Sequence, residues 1–127
     1  PIQHLTELLN EGDVEEADRL AASMAPLFAC VGVNTQEETP YGSVECKARN
    51  PLAVKSLMNV LGMPSGPTRR PLGKMTRKGI DVALNAARQT HSNDPTLLAP
   101  ISAFFGVDIE ERLADERLLD ALVYDAY

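Results

Sequence analysis

Hydrophobic positions along this chain recur with helical spacing in almost every segment. Ile2, Leu5, Leu8 and Leu9 mark a first helix that Gly12 should end. Asp13, with Glu16 one turn on, can form a capping box for a second helix. Val14, Ala17, Leu20, Ala21, Met24, Leu27 and Phe28 then make its apolar stripe, which Pro26 is expected to bend. Period is lost from residue 32 to 49, where Pro40 and Gly42 predict a long loop or exposed hairpin. Asn50 is placed to cap a third helix with Pro51 at its first position. Val54, Leu57, Met58 and Leu61 form that helix's buried face and Gly62 its stop.

Residues 63–74, rich in proline and glycine, read as an extended connector. Thr76 should cap the next helix, which turns Ile80, Ala83, Leu84 and Ala87 inward before the polar run from Thr90. Asp94-Pro95 is expected to start a further helix with Leu97, Leu98, Ile101, Phe104 and Phe105 apolar, kinked at Pro100 and ended by Gly106. Asp108 with Glu111 offers a second capping box for a final helix carrying Ile109, Leu113, Leu118, Leu119, Leu122 and Val123. No segment alternates convincingly enough to predict a strand. The expected fold class is all-α, a bundle of about six short amphipathic helices.

Composition narrows the function classes. A net charge of −6 over 127 residues opposes sequence-independent binding to nucleic acid or anionic membrane, since neither polyanion gains by approaching. No apolar run is long enough to span a bilayer and no export leader is recognisable, so the cytoplasm is the expected compartment. Cys30 and Cys46 are too few for a disulfide framework and read as reduced thiols. A chain opening on Pro1 is expected to be a processed or excised piece.

Candidate chemistry is sparse. His4 and His91 lie far apart with no helical partner suited to metal, so neither a metal nor a cofactor is expected. A nucleophilic pair of Cys30 or Cys46 with His4 or His91 has no supporting motif. Lys55 sits one turn into an amphipathic helix, where a lysine more often snorkels than acts as a nucleophile. Bases cluster at Arg69, Arg70, Lys74, Arg77 and Lys78, and acids crowd the tail. Arg69 and Arg70 are candidates to bind an anion or to satisfy helix-terminal carbonyls. Tyr124 and Tyr127, set on the final helix, would pack an interface.

One order of residues carries more. Asn50-Pro51, Val54-Lys55, Leu61-Gly62, Gly66 and Arg70-Pro71-Leu72 together resemble the C-terminal region of the dihydrodipicolinate synthase and N-acetylneuraminate lyase family. The Glu11-Gly12-Asp13 turn, with Ala17, Leu20 and Pro26-Leu27, is similar to that family's last barrel helix. The resemblance spans residues 1–90. It is strongest at 50–72, and leaves 91–127 as an acidic helical extension. It implies Schiff-base lyase or aldolase chemistry on pyruvate or a related 2-oxo acid, performed on an eight-stranded α/β barrel that needs roughly 200 to 250 residues. The family's lysine nucleophile, its proton-relaying tyrosine and its carboxylate-binding loop have no counterpart here.

The chain is therefore expected to be a structural or oligomerising portion, inactive alone. Its partners would be the barrel or homologous subunits, with homo-oligomers expected. The stretch between Phe28 and Asn50 exceeds the family's usual connection. Arg69-Arg70 stands in place of the more common single arginine, and Ala53 stands where proline is common. The rival reading is a stand-alone helical module that binds a protein partner.

Overall fold

The computed structural model describes residues 1–125. Six α-helices carry the fold: α1 (Ile2–Glu11), α2 (Val14–Ala29), α3 (Leu52–Val60), α4 (Arg77–Asn93), α5 (Ala99–Phe105) and α6 (Ile109–Ala114). Local signals account for most of their ends. Gly12 and Gly106 take the left-handed conformation after α1 and α5. Asp13 accepts from the Glu16 amide at 3.2 Å, Thr76 from Gly79 at 2.9 Å and Asp108 from Glu111 at 2.9 Å. Each cap satisfies an amide that the first helical turn leaves without a partner.

The fold is mostly helical but not all-α. Residues 33–48 form an antiparallel hairpin of β1 (Val33–Thr39) and β2 (Gly42–Ala48), paired in unbroken register from Val33 opposite Ala48 to Thr39 opposite Gly42. Alternation does exist here, but one inward position is a carboxylate. Glu37 is buried, accepting a hydrogen bond from the Thr35 hydroxyl at 2.8 Å and facing the Lys78 ammonium at 3.8 Å. A buried acid must be paired to be tolerated. The Lys78 ammonium also donates to the Gln36 carbonyl at 2.6 Å. These contacts fasten the hairpin to the start of α4.

Three further expectations are corrected. Asn50 does not cap α3. Pro51 occupies the cap position, and an Arg49–Leu52 turn, closed at 2.8 Å, takes up the Leu52 amide instead. The final apolar run is not one helix. Asp115 interrupts it by accepting from the Arg117 amide, which starts a short 3₁₀ turn over Glu116–Leu119. Val123 then lies beside Met75 in a parallel bridge, so Tyr124 is not helical, and Tyr127 lies outside the described residues. Val14, Phe28 and Phe104, placed by period on inward stripes, are exposed.

Helix α4 is the centre of packing. Its Gly79, Ile80, Ala83, Leu84, Ala86, Ala87 and Thr90 are all buried. Around them lie α3, the hairpin base at Val33 and the return segment at Leu113, Leu119 and Val123. A second cluster joins Leu8 of α1, Ala17, Leu20 and Met24 of α2, and Leu97. Two arginines bind helix ends across this core. Arg112 donates from Nε to the Val60 carbonyl and from Nη2 to that of Asn59 at 3.0 Å, and Arg88 donates to the Leu113 carbonyl at 2.6 Å. Carbonyls at a helix C-terminus lack intrahelical donors, so a fixed guanidinium there replaces lost hydration.

Replacing Arg112 by alanine removes both bonds to the end of α3. It should destabilise the fold by about 1–3 kcal/mol in denaturant titrations, with Arg112→Lys retaining part of the loss.

Candidate functional site

The segment that carries the family-like order is laced to α3 by side chains. Lys55 donates from Nζ to the Pro67 carbonyl at 3.0 Å, and the Asn59 amide donates to the Gly66 carbonyl at 3.2 Å. The Ser65 hydroxyl returns a bond to the Lys55 carbonyl at 2.8 Å. Lys55 therefore works here as a clamp for a connector that has few backbone bonds of its own. On the far side, the Thr68 hydroxyl donates to the Gly73 carbonyl, and the Lys74 amide donates to the Tyr124 hydroxyl at 3.1 Å. Met75 and Tyr124 complete the seam through the Tyr124 amide, which donates to the Met75 carbonyl at 3.1 Å.

Between these attachments lies an open groove of about 820 Å³. Leu52, Leu118 and Leu122 give it apolar walls, while Lys55, Arg70 and Lys74 give it cationic ones. Tyr124 and Asp125 also line it. Such a groove offers charge and hydrogen bonds to a carboxylate or phosphate, but its described lining holds no general base paired with a nucleophile.

The family-like residues disperse around this groove. Lys55 and Arg70 line it. Asn50 and Pro51 sit at the exposed turn before α3, and Val54 is half-buried. Arg69 and Pro71 are exposed, and Leu72 lines a smaller cleft of about 210 Å³ beneath the hairpin. Gly62 follows α3 at φ +85, and a Cβ there would lie 2.8 Å from Val107 Cγ1. The arginine that binds the end of α3 is Arg112 rather than Arg69 or Arg70. A long polar side chain within a short amphipathic helix gave no signal in sequence that its partner lay on α3.

The remaining candidates do not assemble. His91 faces Glu110 at 3.5 Å beside an open pocket, with its Nδ1 buried and without a partner among the described residues, while His4 lies near Glu7 on α1. Among the described residues no group of His, Cys, Asp and Glu is arranged to hold a metal. Cys30 is buried and donates to the Leu27 carbonyl at 3.1 Å; burial raises its pKa above the ordinary thiol value, and an interaction with its own backbone amide partly offsets this. Cys46 is half-buried on the hairpin. No helix among the described residues is long and apolar enough to cross a membrane.

With this geometry in hand, comparison with known proteins gives one curated relative, the 4-hydroxy-tetrahydrodipicolinate synthase of Moorella thermoacetica. It is 28% identical over 89 residues, covering 70% of this chain and 26% of that enzyme. The chain is thus similar in sequence to a dihydrodipicolinate synthase. It spans about a quarter of that relative's length. No protein-family model matches, and no solved structure matches.

Gly62→Ala should cost about 1–3 kcal/mol, because it meets Val107 and places a side chain at positive φ. In thiol labelling of the folded protein, Cys46 should react promptly, and Cys30 only after unfolding, its thiolate being both disfavoured and enclosed.

Proposed function

We propose that this chain forms the helical C-terminal part of a Schiff-base lyase of the dihydrodipicolinate synthase type, acting on pyruvate or a related 2-oxo acid. Its role in that enzyme is to clad the barrel and build subunit contacts, and by itself it turns over nothing. The likeness to the Moorella enzyme carries the reading, because it covers most of this chain and only a quarter of the relative. The order Asn50-Pro51, Val54-Lys55, Gly62 and Arg70-Pro71-Leu72, which resembles the family's C-terminal region, supports reading that quarter as the end of the enzyme. Residues 1–90 are then the family-like region and 91–127 an added acidic extension. A cytoplasmic location and homo-oligomeric assembly go with this reading.

A physical observation supports it. Val14, Ala22, Ala25, Phe28 and Ala29 are exposed on α2, on a face that also carries the exposed Asp18, and Ile2 and Leu9 are exposed on α1. Exposed large apolar side chains such as Val14, Phe28, Ile2 and Leu9 support packing against another surface. The bond from Lys55 to the Pro67 carbonyl supports reading this lysine as structural rather than as a Schiff-base nucleophile.

Two measurements test this. Antibody against the chain should detect a native gene product of barrel-enzyme size, about 250 residues or more, and a product of 127 residues would overturn the reading. Borohydride trapping with pyruvate should leave the isolated chain unlabelled. A covalent pyruvate adduct on it would equally overturn the reading.

A further inference from the structure

Strand β2 has a free edge whose sequence is complementary to itself. The hairpin closes through Pro40 and Tyr41, with Thr39 opposite Gly42. A loop of two residues can be flanked only by a pair that exchanges both its hydrogen bonds, since otherwise the ladder would have to bond Pro40 to its own neighbour. Alternation from that pair points the amides and carbonyls of Val44, Cys46 and Ala48 toward β1, and those of Ser43, Glu45 and Lys47 outward. Among the described residues no backbone group of another element bonds to these outward groups. The edge holds neither a proline nor a bulge, two of the devices that normally blunt such edges.

We propose that this edge pairs with the same edge of a second copy, antiparallel about a two-fold axis at Cys46, to form a four-stranded sheet. In that register each Glu45 stands opposite Lys47 of the second copy, at a hydrogen-bonded pair. Val44, left exposed in the single chain, stands opposite Ala48. The two Cys46 residues meet at a non-hydrogen-bonded pair, where Cα atoms approach to about 4.5 Å. Only registers centred on other residues of the strand compete. Centring on Glu45 sets glutamate against glutamate, and centring on Lys47 sets lysine against lysine. The existing contact within the strand, Lys47 to Glu45 at 3.2 Å, becomes part of a cluster of four alternating charges. This inference stands on the hairpin alone and is independent of the lyase reading.

The 127-residue chain should sediment as a concentration-dependent dimer. Treatment with diamide, which takes up the two electrons and two protons released as two thiols join, should yield a disulfide-linked dimer on a non-reducing gel. Cys46→Ser should remove that band. Glu45→Pro deletes an outward amide without touching the bonds to β1, so it should abolish the dimer while the circular dichroism and melting temperature persist. Lys47→Glu places like charges opposite at both pairs and should weaken the dimer by about tenfold. The charge-swapped double variant E45K/K47E restores opposite signs and should recover it. Should Glu45→Pro fail to fold, the charge variants decide. A chain that stays monomeric and uncrosslinked, a dimer indifferent to Lys47→Glu, or a double variant that fails to recover would each overturn the proposal.

Discussion

The burial of α4 is the constraint on which the other elements depend. Gly79, Ala83, Ala86 and Ala87 make much of its surface small, so α2, α3 and the hairpin can approach its backbone closely while Ile80 and Leu84 fill the space between. Each large aliphatic side chain enclosed in this way contributes about 1.5–3 kcal/mol. The residues before the helix extend the arrangement. Thr76 caps α4 and lies 3.3 Å from the Thr35 hydroxyl of β1, while Met75, wholly buried, bridges to Val123. Hairpin, connector and return segment thus converge on the start of a single helix.

That convergence sets the shape of the candidate site. The connector is pulled toward α3 by Lys55 and Asn59 and toward the return segment by the Tyr124 hydroxyl, and the groove is what remains between its two moorings. Lys55 thereby places its ammonium on a connector carbonyl. The exposed face of α2 and the free edge of β2 lie on separate elements. Under the proposals made above, one meets a barrel and the other a second copy.

Legibility differed sharply between elements. The caps at Asp13, Thr76 and Asp108 and the stops at Gly12 and Gly106 lie where their residue types predict, since each depends on groups within one turn. Residues 32–49 read only as a long loop or exposed hairpin, with no strand legible, because Glu37 occupies an inward position of β1, and its acceptability rests on Thr35 and on Lys78, which is remote in sequence. The last helix was overextended because Asp115 fits an apolar period as a solvated residue until its carboxylate captures the Arg117 amide. Of the candidate site, the connector was legible from its prolines and glycines. Its closure by Tyr124 and the binding of α3 by Arg112 were not.

Sequence by itself determined that this chain is largely helical and where most of its helices begin and stop. These are properties of neighbours along the chain, whose backbone groups are satisfied locally. Only the tertiary structure decided which apolar faces are enclosed, that Val14 and Phe28 remain outside, and that a buried glutamate holds a hairpin on α4. Burial and charge pairing depend on groups brought together from distant positions, and helical period gives the direction of a face without naming what will cover it.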